Sequence, residues 1–257
     1  MNTRHVFPFG VEITAPLPNP PLSLALIPQL KSWVTEHRVV VLRGFVSPSD
    51  EEMLAFCNQL GTVLEWEFGA VNELQVHADA RNYLYTSRDV PFHWDGAFLG
   101  KVPHYIFFHC RIAPPVGSGG ETTFCDTRRV LERLTPEDRR LWEVVQITYS
   151  TEKIVHYGGT FTSPLLAAHP ATGETVVRFA EPVEDLNPVR LAIEGIPEEK
   201  QPAFLARMHE LLNDPTCCYA HSWREGDVVL ADNHALLHGR RGFTQPAARH
   251  LRRVNIL

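Results

Sequence analysis

Apolar residues fall into short blocks separated by Pro- and Gly-rich breaks, and their period changes along the chain. In "SLALIPQLKSWVTEHR", Leu26, Leu30, Trp33 and His37 recur at helical spacing, which predicts a helix after Pro28. "VVVLRGF" is continuously apolar and reads as a buried strand. In "SPSDEEMLAFCNQLG", Ser47 as N-cap, Pro48 at the first position and Asp50 three residues on predict a helix start. Gly61 predicts its end. The prolines between Pro16 and Pro21 predict a rigid surface connector. This N-terminal part, residues 1–62, reads as α/β.

From about Asn82 the blocks become β-rich: "NYLYTSR", "YIFFHCRI", "VVQITYS" and "ETVVRFA", divided by Pro and Gly turns. Two helices interrupt them, "TPEDRRLWEVV" with Thr135 as cap and "QPAFLARMHELLND". "HPATGETVVRF" predicts a hairpin or strand start after a turn at Thr172-Gly173. "REGDVVLADN" predicts a tight turn feeding a short buried strand, and "HLRRVNIL" the last strand. Many short strands with longer insertions predict a sandwich or jelly roll. No repeat, low-complexity tract or long linker divides the chain. The expectation is one domain over residues 1–257, with a core with helical insertions over residues 80–257.

Hydrophobic content of 44% and charged content of 21% are ordinary for a soluble globular protein. A net charge of −6 argues against nucleic acid and membrane surfaces as partners. No run of 18 apolar residues marks a membrane span, and the N-terminus lacks the apolar core of a signal peptide. These features predict a cytoplasmic protein. Cys57, Cys110, Cys125, Cys217 and Cys218 fit no disulfide or zinc spacing and predict reduced, mostly buried thiols. From Asn233 to the end there is no acid, yet there are five Arg: Arg240, Arg241, Arg249, Arg252 and Arg253. Arg suits bidentate capture of carboxylates. A basic tail for nucleic acid is the weaker reading, because these Arg are interleaved with apolar strand residues.

Chemistry concentrates in "VPFHWDGAF". In a strand, His93 and Asp95 would project to one face. A carboxylate among aromatics is costly unless it is paired or holds a metal. The bland reading is a surface His beside a turn made by Asp95-Gly96. A third ligand is best supplied by His238 in "DNHALLHGRR", swung back by a turn after the strand "DVVLAD". Two His and one carboxylate make the facial triad of non-heme Fe(II) oxygenases, and zinc hydrolysis is the chemical rival. Glu121 and Asp126 read as turn or surface groups. Tyr83, Tyr85, Phe92, Phe98, Tyr105 and Phe107 surround the motif, and an aromatic stripe is more often core than pocket.

Four stretches occur in an order that resembles the TauD/TfdA family of Fe(II)- and 2-oxoglutarate-dependent dioxygenases. They are "HWD", "GSGGETTF", "WREGDVVLADNHALLHGR" and "RHLRRV". The resemblance implies a mainly β fold with α elements, a double-stranded β-helix (jelly roll) core with flanking helices. It implies His93, Asp95 and His238 as iron ligands, with 2-oxoglutarate and O₂ as cosubstrates. Thr122 and Arg249 would hold the distal carboxylate of 2-oxoglutarate, and Arg253 an anionic group on a small-molecule substrate. On one strand face Arg249 and Arg253 would stand about 13 Å apart, so their side chains must converge. Arg252 would point the other way, to solvent or a structural carboxylate. Two positions depart from the family pattern: Ala231 stands before Asp232, where an aromatic is common, and His234 after Asn233, where Arg is common.

"NYLYTSRDVPFHWDGAF" resembles the narrower PvcB-like branch, which modifies isonitriles of aromatic amino acids and works beside an isonitrile synthase. That implies a carboxylate-bearing substrate of the tyrosine isonitrile type, with desaturation, decarboxylative desaturation or hydroxylation as outcome. A free amino-acid hydroxylase, a sulfonate dioxygenase and a non-catalytic jelly-roll binding module are the alternatives, and a homo-oligomer is open.

Overall fold

The structure is a computed structural model that describes residues 1–66, 69–154, 157–244 and 248–257. A seven-stranded sheet runs in the order Asn2–His5, Val11–Thr14, Val39–Arg43, Val228–Asp232, Tyr105–Ile112, His250–Ile256, Asn72–Leu74. A four-stranded sheet runs Cys218–His221, Thr122–Asp126, Leu236–Arg240, Val90–His93. The N-terminal strands thus pair into the same sheet as the last strand of the chain.

Period-two alternation decides how the two sheets meet. Val40, Leu42, Tyr105, Phe107, Val228 and Leu230 point to one side of the large sheet and pack on helices Ile27–His37 and Asp50–Leu60. Their neighbours Val39, Val41, Ile106, Phe108, Val229 and Ala231 point to the other side, onto Phe124 and Leu236 of the small sheet. The continuous apolar run "VVVLR" is therefore covered on both faces. Ala231 sits in this layer, where the strands of the two sheets approach each other. The small sheet's outer residues, Val90, Phe92, Cys125 and Leu237, pack under helix Gln201–Leu212 in a third core. That core is shared with a three-stranded sheet of Arg190–Glu194, Gln146–Ile154 and Tyr157–Pro164. The architecture is mainly β, two sheets stacked as a jelly-roll core with helices outside.

Several local expectations shift. The N-cap of helix Asp50–Leu60 is Ser49, not Ser47, because Ser49 and Glu52 close a reciprocal capping box. Helix Ile27–His37 buries Ile27, Leu30 and Val34, leaving Leu26 and Trp33 as half-buried flanks. "NYLYTSR" forms a 3₁₀ turn at Tyr83–Tyr85 rather than a strand, since Asn82 caps it by accepting from Leu84 N–H. Helix Pro136–Trp142 starts at Thr135 as predicted, and the Thr172-Gly173 turn joins the paired strands Leu166–Ala168 and Thr175–Val177. Asp126 is fully buried, not a surface group: it caps helix Thr127–Glu132 and pairs with Arg128. All five cysteines are free, and four are buried. Among the described residues no helix is long and apolar enough to cross a membrane.

Candidate metal centre and its two cavities

His238 lies in mid-strand, directly opposite His93 in antiparallel register, with Phe124 on its other side. No turn swings it into place; cross-strand pairing does. Strand Val90–His93 ends at His93, and Asp95 stands in the following turn with Gly96 at φ 97°. His93 and Asp95 therefore converge because the chain folds back, not through strand alternation. A side chain at Gly96 would meet the Lys101 carbonyl at 2.3 Å, so the turn is tight as well as left-handed. Asn233 holds that turn: its Oδ1 accepts from Asp95 N–H at 2.9 Å, and its Nδ2 donates to the Asp95 carbonyl at 3.0 Å.

One donor atom from each of His93, Asp95 and His238 falls within 4.8 Å of the others. His93 Nε2 and His238 Nε2 lie 3.8 and 3.7 Å from Asp95 Oδ1. His93 Nδ1 lies 2.9 Å from the Pro91 carbonyl, which fixes the proton there and turns the Nε2 lone pair inward. Burial lowers the pKa of both imidazoles, and His93 helps push His238 down to about 3. Burial alone would raise Asp95, but Arg253, the two His and Asn255 outweigh it and hold the carboxyl at about 2. At neutral pH the set is two neutral imidazoles and one carboxylate, the protonation state that a metal needs. Donor types and spacing fit a 2-His-1-carboxylate Fe(II) site.

Asp95 is also held from the last strand. Asn255 Nδ2 donates to Oδ2 at 3.0 Å, and Arg253 Nη1 reaches both carboxylate oxygens at 3.0 and 3.2 Å. Asn255 was missed in the sequence, although it lies two residues past Arg253 on the same strand face. Arg252 points to the opposite side, onto Asp50 and His109.

Two cavities flank the cluster. The smaller, of 40 Å³, is lined by His93, His238, Thr122, Arg240, Arg249 and Arg253 among others. Arg249 donates from Nε to the Gly120 carbonyl at 2.8 Å and from Nη2 to Thr122 Oγ1 at 3.1 Å. Trp223 Nε1 also donates to Thr122 Oγ1, at 3.0 Å. With both lone pairs engaged, Thr122 keeps its hydroxyl proton to give to a ligand. Burial, then Arg240, lowers Arg249 to about 9, which leaves it a cation at neutral pH. Arg249 and Arg253 converge on this one space, as their spacing requires.

The larger cavity, of 330 Å³, is lined by Trp66, Tyr83, Tyr85, Trp94, Phe98 and Tyr149, with Arg253 and Glu181 among its polar groups. The aromatic stripe divides: Tyr85 and Phe98 face the cavity, Tyr83 belongs to the core and lines the cavity from it, and Phe92, Tyr105 and Phe107 are core alone. Glu181 accepts from Phe92 N–H at 2.9 Å.

A second cluster, His104, His169 and Asp232, also brings donor atoms within 4.8 Å. His169 Nδ1 accepts from the N–H groups of Ala171 and Thr172, both at 3.2 Å, so the ring proton is on Nε2 and is donated to Asp232 at 3.0 Å. A metal there would need the lone pair that the proton occupies. Asp232 accepts in addition from Arg38 and the N–H groups of His234 and Ala235. This cluster is a hydrogen-bond node at the base of the Asn233 turn. His234 accepts from Arg178 at 2.6 Å, so Arg178 brings a guanidinium to the place where the family's arginine is common.

The family model described as "Taurine catabolism dioxygenase TauD, TfdA family" matches residues 2–255. The chain is 45% identical to the 3-((Z)-2-isocyanoethenyl)-1H-indole synthase of Fischerella ambigua over 260 residues, covering 100% of this chain and 95% of that protein. It is 37% identical to the tyrosine isonitrile desaturase of Pseudomonas aeruginosa over 233 residues, 88% of this chain and 80% of that one. The crystal structure of the Pseudomonas aeruginosa PvcB protein superposes with a TM-score of 0.82 at 34% identity, covering 96% of this chain and 86% of that one. A second PvcB structure, described as an Fe, alpha-ketoglutarate dependent oxygenase from an isonitrile synthetic pathway, gives a TM-score of 0.80 at 33% identity with the same coverage.

Proposed function

The chain belongs to the TauD/TfdA family of Fe(II)- and 2-oxoglutarate-dependent dioxygenases, and from that premise we propose that it oxidises a carboxylate-bearing isonitrile of an aromatic amino acid, of tyrosine type. One observation carries the reading: a neutral His pair and an ionised Asp stand where a small cationic cavity meets a larger aromatic one. In this reading His93, Asp95 and His238 hold Fe(II). When bound, the iron supplies the activation of O₂ against 2-oxoglutarate that removes hydrogen from the substrate, with succinate and CO₂ as coproducts.

The chain's own residues do the rest. Arg249 forms a charge-assisted pair with the distal carboxylate of 2-oxoglutarate, and Thr122 donates its free hydroxyl proton to the same group. Arg253 borders both cavities. From there it holds Asp95 in place and meets the carboxylate of the prime substrate. Aromatic walls take the ring and keep bulk water from the reacting carbon. Loss of two hydrogens yields an alkene, loss of CO₂ with it a decarboxylated alkene, and gain of oxygen an alcohol. The enzyme stands after an isonitrile synthase, which must supply the substrate.

A panel of tyrosine isonitrile, tryptophan isonitrile, free tyrosine and taurine tests this, read by succinate release and product mass. Turnover of an isonitrile, absent in His238→Ala, is the expected result. Turnover confined to free tyrosine or taurine would overturn the substrate class, and full activity of His238→Ala would overturn the ligand set. Arg253→Ala tests the clamp: loss of stimulation by substrate is expected beside any fall in melting temperature, and a fall in melting temperature without that selective defect would leave Arg253 only its bond to Asp95.

A further inference from the structure

Arg240 is a half-buried cation whose hydrogen bonds run to backbone carbonyls. It is two residues past His238 on the same strand, so both side chains share the face between the sheets. Its Nη1 donates to the Leu84 carbonyl at 3.0 Å, and its Nη2 to the Thr86 and Arg88 carbonyls at 2.7 and 2.6 Å. Three alternate carbonyls of one segment thus end on one guanidinium. Ser87, between two of them, and Asp89, just past the last, are tied to the chain beyond the same strand end: Phe243 N–H donates to the Ser87 carbonyl at 2.9 Å, and Gly242 N–H to Asp89 Oδ1 at 2.9 Å. No strand of the described residues pairs with 84–89. Arg240 therefore supplies the donors that a neighbouring strand would.

The segment so held is a cavity wall. Asn82, Tyr83, Leu84 and Tyr85 line the larger cavity, and Leu84 also lines the smaller one beside Arg240 itself. Leu84 thus borders both spaces, as His93 and Arg253 do, and its carbonyl is pinned from the His238 strand. Setting a largely desolvated cation on carbonyls is costly, and the Phe243 ring 5.6 Å from its Cζ and the nearby Asp89 offset only part of that cost. A guanidinium is the side chain whose several donors lie in one plane, able to bind three acceptors at once.

We propose that Arg240 is a positioning residue: it locks residues 82–88, the first four of which wall the larger cavity, to the strand of His238, so that substrate held by that wall stands at a set distance from the metal centre. The substrate part rests on the function proposed above. An error of about 1 Å in such placement costs on the order of a hundredfold in rate, so a loosened wall should spoil coupling before it unfolds the protein.

The test compares the iron-loaded enzyme with Arg240→Lys and Arg240→Ala. Lys keeps the charge beside Arg249 but replaces the planar fork with one ammonium. Hydrogen exchange, followed by mass spectrometry under anaerobic conditions with 2-oxoglutarate, reads the amides of residues 82–89; Tyr85, Thr86 and Arg88 N–H are hydrogen-bonded in the wall. Arg240→Lys should speed exchange there by about tenfold while the rest of the chain exchanges as before. With tyrosine or tryptophan isonitrile it should raise the substrate KM by about tenfold and the succinate-to-product ratio by about threefold, with the 2-oxoglutarate requirement changed less. A lower melting temperature with wild-type KM, coupling and exchange would overturn the proposal. If the wild type consumes neither isonitrile, the substrate class fails by itself. The exchange comparison still decides the anchoring, and unaltered exchange in Arg240→Lys then rejects it.

Discussion

At the scale of single residues, the site works by contrast between groups that burial neutralises and groups that burial leaves charged. His238 titrates at 6.5 in an unfolded chain but at about 3 in the fold. The unfolded chain therefore takes up this proton first, and the metal-free protein loses stability as pH falls from about 6.5 toward 3. Asp95 adds a further loss below its ordinary 3.8, as pH approaches about 2. Denaturant midpoints of the metal-free protein at pH 7, 5.5 and 4.5 should drop steadily, and His238→Gln should flatten the slope. Arg249 is the opposite case, a buried cation that bonds Gly120 and Thr122 and keeps its charge at neutral pH. A charge-assisted bond contributes on the order of 1.5–3 kcal/mol. Arg249→Ala should therefore raise the 2-oxoglutarate requirement roughly tenfold or more, with Arg249→Lys recovering only part because the fork is lost. Succinate release against cosubstrate concentration checks it; an unchanged requirement would pass the role to another arginine of the cavity.

At the scale of elements, caps and register decide what the residues can do. Ser49 closes the capping box of helix Asp50–Leu60, whose Asp50 then pairs with Arg252 on the outer face of the last strand. Ser49→Ala should cost about 1 kcal/mol of stability, read as a lower denaturant midpoint, whereas Ser47→Ala should leave it within error. Register matters more for chemistry. His93 and His238 meet because strands Val90–His93 and Leu236–Arg240 pair residue against residue. Gly239 makes that approach possible: a Cβ there would lie 2.5 Å from the Val90 carbonyl. A one-residue slip would turn His238 to the apolar face occupied by Leu237.

At the scale of the whole molecule, the centre depends on a buried network whose hub, Asp232, lines neither cavity. Asp232 ties Arg38, His169 and the turn at His234–Ala235 together, and the adjoining Asn233 clamps Asp95. Removing one partner of a buried ion pair typically costs about 3–5 kcal/mol, because the other charge stays buried. Asp232→Ala should show that loss in thermal unfolding and, through Asn233, weaken metal binding in anaerobic Fe(II) titration. A variant that loses stability yet binds Fe(II) as tightly as the parent would uncouple the node from the site. The two cavities express the stacking of the sheets: the inner face of the small sheet supplies His93, His238, Thr122 and Arg240, and the large sheet supplies Arg253 and Asn255.

The sequence by itself determined what is local. The apolar runs "YIFFHC" and "DVVLAD" marked strands, and Thr135 and Thr172-Gly173 marked their helix start and turn. The order of the "HWD", "GGETTF", "DNHALLHGR" and "RHLRRV" stretches was enough to name the family and the candidate ligands. Periodicity assigns a face, however, and not a partner. Only the tertiary structure decided that His93 and His238 are cross-strand neighbours and that Asp95 reaches them from a turn. It alone put Arg253 on Asp95, divided the aromatics between cavity and core, and gave Asn233, Asn255 and Arg240 their tasks. Each of these depends on long-range register and on how two sheets stack, and such contacts join residues that no local window contains.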